Sequence, residues 1–140
     1  MGERQRKFYD ALIRDLVTFA KLAFRLDTRN EDGTTLREHL EAAEKASPGV
    51  TRGVLKRATM PPELEFLWLW YLDLSTSRQY AGMSGSPLRL THTEILAWAT
   101  LHQIALEPWQ LRAIRLIDSH HVHAMMKAAD GFTMADLQEA

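Results

Sequence analysis

The run 64–74, LEFLWLWYLDL, presents apolar side chains on almost every side of a helix. It follows Pro61-Pro62, and proline is tolerated in the first turn of a helix because an N–H there has no intrahelical partner. Glu63 and Glu65 complement the positive helix end. A helix that is apolar all round lies at the centre of a core or partly in an interface. The run therefore predicts a helix that is central to the core or lies partly in an interface.

Helix-start patterns predict three further helices. In a capping box, a threonine and a glutamate three residues later satisfy each other's backbone N–H groups. Thr35 with Glu38 and Thr91 with Glu94 have this spacing, and Pro108 suits the first turn of another helix. Turn residues predict where these helices end: Ser47-Pro48-Gly49, Gln103 and Gly131.

Residues 5–26 form a fifth segment with apolar side chains at helical spacing. Its apolar sector is wide, which predicts either a well-buried helix or a second apolar face for a partner. Counted from the N-terminus through Arg25, six basic and three acidic side chains leave +3, which we interpret as a solvated polar face, with a membrane-surface helix as the alternative. The sequence has no convincing period-2 strand. The predicted fold is all-α, a small helical bundle of about five helices.

The length of 140 residues suits one domain. We expect an N-terminal amphipathic helix at 1–30, a helical core at 34–128 and a frayed tail at 129–140. Residues 75–90, rich in glycine and serine, are expected to be a plain, flexible loop. Residues 50–60 are ambiguous and read best as a solvated connector. Residues 50–60 contain a small basic cluster of Arg52, Lys56 and Arg57. In the C-terminal tail, Thr133 is expected to cap a short last helix.

Composition excludes several classes of site. The chain has no cysteine, so disulfides, thiol nucleophiles and cysteine-based metal sites are absent, as is typical of a reducing compartment. Its net charge of −1 lacks the basic excess usual for nucleic-acid binders. The sequence has no stretch of about 18 apolar residues, so we predict no membrane span. The N-terminus lacks the apolar core and cleavage site of a secretory signal.

The histidines at 120, 121 and 123 are the sharpest candidate for chemistry. Asp118 and His121, and His120 and His123, stand three residues apart and share helix faces. A zinc site needs three or four ligands, and no HExxH pattern occurs. We therefore interpret these residues as surface or helix-end histidines. No GxSxG elbow occurs, and we predict no catalytic residue, metal ligand or cofactor.

Residues 91–122 have the period and the short turn of a DNA-binding helix-turn-helix. The charge does not fit, because three arginines and three acidic residues between Leu88 and Val122 cancel. The second helix begins EPWQLRAI, with apolar residues where base-contacting side chains would stand. DNA binding remains the alternative function.

The four tryptophans need a structural explanation. Trp68 and Trp70 cannot share one narrow face, because two helical steps turn about 200°. One is expected to face the core and the other a second helix or a partner. Trp98 and Trp109 flank the short turn and are expected to pack against each other. Core packing is the plain interpretation, and a binding surface is the functional one, since tryptophan is enriched at interface hot spots.

A longer pattern combines these elements: PPELEFLWLWYLDL, a Gly/Ser-rich loop, then ILAWATL and PWQLRAIRLID. Over residues 35–122 it resembles the tail assembly chaperones of long-tailed bacteriophages. The resemblance implies a non-enzymatic protein in the host bacterial cytoplasm that keeps the tape-measure protein, or another tail protein, soluble during tail morphogenesis. It leaves room for a homo-oligomer. The predicted partner-binding residues are Phe19, Phe24, Trp68, Trp70, Tyr71, Trp98, Trp109 and Met125.

The chain departs from the family pattern in two places. Family members often have glycine after the AWxxL helix, where this chain has His102-Gln103. The N-terminal segment of about 30 residues has no counterpart in the resemblance. These departures keep open a relative that binds a host protein.

Overall fold

In the computed structural model, residues 2–29, 32–49, 51 and 59–130 are described, and they contain five α-helices. The helices are α1 (Glu3–Asp27), α2 (Leu36–Ala46), α3 (Glu65–Ser75), α4 (His92–Leu101) and α5 (Pro108–Asp130), with a 3₁₀ turn at Pro62–Leu64. Within these ranges no strand forms beyond two isolated bridges, Arg29 with Thr35 and Tyr80 with Pro87. The predicted all-α class is confirmed.

Both predicted capping boxes are present. The side chain of Thr35 accepts from the backbone N–H of Glu38, and that of Thr91 accepts from Glu94, while each glutamate accepts from its threonine in return. These local bonds fix the starts of α2 and α4 because they satisfy N–H groups that have no intrahelical acceptor.

One face of the apolar run of α3 lies in the core of the bundle. Leu67, Tyr71 and Leu74 are 0% exposed and face the core. α1 and α5 lie side by side in the same direction, since Tyr9 packs on Trp109 near one end and Phe24 on His121 near the other. The last turns of α1 pack separately against α2 through a small cluster of Leu22, Leu26 and Leu40.

The loop between α3 and α4, expected as a plain, flexible segment at 75–90, has internal hydrogen bonds. Its tip is a tight turn in which Ala81 and Ser86 share a 2.8 Å backbone hydrogen bond, and Leu88 N donates to Gln79 O at 3.0 Å. The sequence shows the turn residues, but it does not show that the two arms pair with each other.

Some predictions fall outside the described residues. The basic cluster of Arg52, Lys56 and Arg57, Gly131 and the helix capped by Thr133 all lie there. Among the helices that are described, none combines the length and the apolar character needed to cross a membrane.

The structure at the end of α4 shows why family members often have glycine at a position where this chain has Gln103. Ile104 N donates to Ala99 O at 2.9 Å and Gln103 N to Thr100 O at 3.2 Å, which is the hydrogen-bond pattern of a Schellman motif. This motif places its C′ residue in the left-handed region, and Gln103 has φ 55°. Glycine suits that conformation because it has no Cβ, which accounts for the glycine expected here from the resemblance.

We predict that Gln103→Gly stabilises the protein by about 1 kcal/mol, since it removes the cost of a side chain at positive φ. The urea midpoint of unfolding measures the gain. Gln103→Ala is the matched control, because it truncates the side chain but keeps Cβ. Equal midpoints for the two variants would contradict the strain argument.

Candidate functional site

A cleft of about 490 Å³ opens between the second half of α1, the outer edge of α3 and the second half of α5. Volumes of this order accommodate small ligands or a few side chains of a partner. The lining is mostly apolar, with a polar end: Phe19, Ala23, Phe24, Asp27, Thr28, Arg37, Trp68, Leu72, His121 and Met125.

Stacked rings form the inner wall of this aromatic cleft. Trp68 meets Phe19 edge-on at 5.1 Å between ring centroids and lies 5.3 Å from Phe24. His121 also stacks on Phe24, at 4.1 Å with an interplanar angle of 7°. Each ring is held by at least one neighbour, so little side-chain freedom remains to be lost when a partner binds.

An ion pair closes the polar end of the aromatic cleft. Arg37 Nε donates to Asp27 Oδ1 at 2.6 Å, and its Nη2 donates to Oδ2 at 3.1 Å. The hydrogen bonds to Asp27 raise the pKa of the Arg37 guanidinium above its ordinary value. Because Asp27 and Arg37 are bound to each other in a bidentate pair, the apolar wall is the part of the cleft that is available to a partner.

Beneath the cleft lies a buried polar network of Tyr71, Arg78, Asp118 and His121. Arg78 Nη2 donates to Tyr71 Oη at 2.8 Å and also to Asp118 Oδ1, and the Arg78 and Asp118 side chains are 3% and 2% exposed. The second oxygen of Asp118 accepts from Leu90 N at 2.8 Å.

Burial shifts the pKa of two members of the network. Burial is the largest cause that lowers the pKa of His121 to about 4, and the Arg78 cation adds to it while Asp118 opposes it. Burial likewise raises the pKa of the Tyr71 hydroxyl. At neutral pH a neutral His121 can therefore accept a hydrogen bond from the Tyr71 hydroxyl, whose oxygen lies 2.6 Å from Nδ1 and 3.2 Å from Asp118 Oδ1.

These positions correct the interpretation of the three histidines as surface or helix-end residues for His121, whereas His123 is at the surface as expected. His121 is packed between Phe24 and Tyr71, His120 is half-buried, and His123 is exposed. Burial, followed by Lys21, His123 and Arg25, lowers the pKa of His120. Within the described ranges, no group of three or more potential ligands is placed to hold a metal ion.

The predicted partner-binding residues separate into two groups. Phe19, Trp68 and Met125 line the aromatic cleft and are partly exposed, and Phe24 lines it although it is only 6% exposed. Tyr71, at 0% exposed, lies below the cleft floor.

Trp70, Trp98 and Trp109 lie elsewhere. Trp70 faces α4 and packs on Trp98 at 6.0 Å, and Trp98 Nε1 donates to Asp73 Oδ2 at 2.7 Å. Trp109 packs on Tyr9 at 5.2 Å, so the expected Trp98–Trp109 pair is wrong. Because Trp109 is engaged with α1, the start of α5 is used for packing.

Sequence reasoning missed Leu72, Asp27 and Arg37 in the cleft and Arg78 in the network. The helical period of α3 puts Leu72 one turn after Trp68, which could have placed it. Arg78 and Asp118 stand forty residues apart in the chain, and no local pattern indicates such a pair.

A family model of phage tail assembly chaperones matches residues 43–123, more than half of the chain. The chain belongs to this family. The resemblance drawn from the sequence is thereby confirmed, and with it a role in tail assembly. No curated protein and no solved structure gives a significant match. The matched range contains α3, α4 and most of α5, whereas α1 precedes it.

We predict that Arg78→Met lowers the free energy of unfolding by about 3–5 kcal/mol, because it leaves the Asp118 carboxylate buried without its cation. Adding Asp118→Leu should restore part of this loss, since no buried charge then remains, although Leu90 N–H still lacks its acceptor. Denaturant unfolding of Arg78→Met, Asp118→Leu and the double variant tests this. A double variant that loses the sum of the two single effects would show that the charges are not coupled.

We also predict that acid weakens the fold between pH 6.5 and about 4. The unfolded chain protonates His121 near its ordinary pKa of about 6.5, whereas the folded chain does so only near 4, so unfolding takes up a proton in this window. The free energy of unfolding should fall by up to about 1.4 kcal/mol per pH unit from this group, and His120 acts in the same direction.

His121→Asn should flatten this pH dependence, and His123→Asn, an exposed neighbour on α5, should leave it nearly unchanged. Denaturation midpoints from pH 4 to 7.5 make the comparison. Parallel curves for wild type and His121→Asn would overturn the assignment.

Proposed function

We propose that this chain is a non-enzymatic chaperone that holds the tape-measure protein in the host cytoplasm until tail tube subunits assemble around it. The observation that carries the proposal is an open, largely apolar cleft on a member of a tail assembly chaperone family. A holding factor needs an apolar surface that accepts many side chains of a long client and releases them later.

The aromatic cleft suits that task chemically. Trp68 and Phe19 supply rigid apolar area, and the partly exposed thioether of Met125 adds a flexible, polarisable wall. Such a combination favours tolerant binding of apolar side chains from an amphipathic helix. We therefore propose that Phe19, Trp68 and Met125 contact the client, with Phe24 and Tyr71 supporting them from below. For Trp70, Trp98 and Trp109 we propose structural roles.

We predict that Met125→Glu weakens binding of the tape-measure protein by about tenfold or more, because the cleft would have to desolvate an unpaired carboxylate. The matched control is Met126→Glu, which makes the same change at the next residue, where the side chain is 55% exposed and does not line the cleft. Co-expression with fragments of the tape-measure protein, followed by the soluble fraction and co-purified yield, gives the readout.

Thermal melts of both variants ensure that a loss of binding is not a loss of folding. Equal loss for Met125→Glu and Met126→Glu would remove the cleft from the mechanism. If no tape-measure fragment is solubilised or retained by the wild-type chain, the proposed client is wrong.

A further inference from the structure

The outer face of α3 carries an exposed apolar ridge. Phe66, Leu69 and Leu72 are 36%, 55% and 41% exposed, and each stands three residues after the last. Residues three apart on a helix are neighbours on its surface, so the three side chains form one strip. Leu72 also lines the aromatic cleft, which makes the strip, here called the α3 ridge, continuous with that cleft.

The α3 ridge is bounded by two walls of packed helix. Trp68, on one flank of α3, packs against Phe19 of α1, and Trp70, on the other flank, packs against Trp98 of α4. Leu67, Tyr71 and Leu74 fill the core on the opposite side. Phe66, at one end of the ridge, is partly covered by edge contacts with Trp70 at 4.9 Å and Trp109 at 6.5 Å. Leu69 and Leu72 are the more exposed part of the strip, along a helix apolar on nearly all sides.

The charged side chains that α3 itself and the turn before it carry are of one sign. Glu63, Glu65 and Asp73 are exposed, and the sequence from Thr59 to Ser77 contains no lysine or arginine. Asp73 has local partners in Trp98 Nε1 and in His102 Nε2 at 3.4 Å. Glu63 and Glu65 have no ion pair within the described part of the chain. An apolar strip edged by carboxylates complements an apolar strip edged by cations.

We infer that the α3 ridge docks an amphipathic helix whose apolar stripe is flanked by lysine and arginine. The inference rests on the proposed function and deepens it, because it specifies which client segments are held. The chain's own α1 offers a comparison: it carries basic residues around an apolar face and packs Phe19 and Phe24 on the Trp68 flank of the same helix.

A second copy of the chain is a poorer occupant. A symmetric pairing of two ridges would bring Glu65 and Asp73 of each copy together, and like charges across an interface oppose association. A basic helix meets the same apolar residues and neutralises these carboxylates.

The test uses the full chain and two synthetic helical peptides with the same leucine stripe, one flanked by lysines and the other by glutamates. Fluorescence anisotropy of labelled peptide measures binding. We expect the lysine peptide to bind at least tenfold more tightly, with a ratio that shrinks as salt rises because the charges are exposed. Equal affinities, tighter binding of the glutamate peptide, or no binding of either would overturn the inference.

Variants locate the binding on the α3 ridge. Leu69→Ser should weaken binding of the lysine peptide about tenfold or more, and Glu65→Lys should reduce the preference between the two peptides severalfold. Leu96→Ser is the matched control: Leu96 is 67% exposed on α4 and stands two residues from Trp98, about 200° around its helix. An equal effect of Leu69→Ser and Leu96→Ser would place the binding elsewhere.

The outcomes separate the inference from the proposed function. If tape-measure fragments bind but the lysine peptide does not, the proposed function stands and the ridge inference fails. If the lysine peptide binds through Leu69 but no tape-measure fragment is retained, the ridge inference stands and the client is another basic helix. Dimerisation that Leu69→Ser abolishes, seen by analytical ultracentrifugation without peptide, would show that a second copy occupies the ridge.

Discussion

The buried ion pair of Arg78 and Asp118 is the contact on which the arrangement of the other elements depends. Arg78 also donates to Tyr71 of α3 and to Leu88 O, while Asp118 of α5 accepts from Leu90 N, so one pair joins two helices and both arms of the loop between α3 and α4. A buried pair adds little net stability, because desolvation offsets most of its attraction. Its effect is on specificity: any arrangement that separates the charges leaves each buried alone, and this penalty favours a single position of the loop.

The sequence was sufficient wherever the information is local. Both capping boxes rest on groups three residues apart, and the structure has both. Trp68 and Trp70 are two residues apart, which is about 200° around a helix, so the sequence places them on different sides of α3. In the structure Trp68 faces α1 and Trp70 faces α4. Contacts between residues on either side of a turn could not be predicted in this way. The Schellman motif at Gln103 sets the direction in which the chain leaves α4, and Trp109 then meets Tyr9 of α1. Helical periodicity contains no information about that direction.

The candidate site was predictable only in part, for the same reason. Aromatic and methionine side chains are recognisable as binding material from composition, and Phe19, Trp68 and Met125 do line one cleft. Which aromatics are open to a partner depends on tertiary packing, and Tyr71 is closed off by contacts with residues up to fifty positions away. The burial of His121 follows from its stack on Phe24, another long-range contact that a spacing pattern of aspartate and histidine cannot reveal.

The family match and the structure divide the proposed client surface into two parts. The α3 ridge and Trp68 lie within residues 43–123, whereas Phe19 and Phe24 of α1 precede this range and Met125 follows it. The aromatic cleft therefore exists only because α1 packs against the matched region, with Phe24 bridging Trp68 and His121. Because Phe24 also stacks on the buried network through His121, displacement of α1 would expose the network to water. Phe24 thus links the wall of the cleft to the packing of the core. A client whose binding displaced α1 would have to compensate for the loss of that packing. Docking along the already exposed α3 ridge avoids this cost.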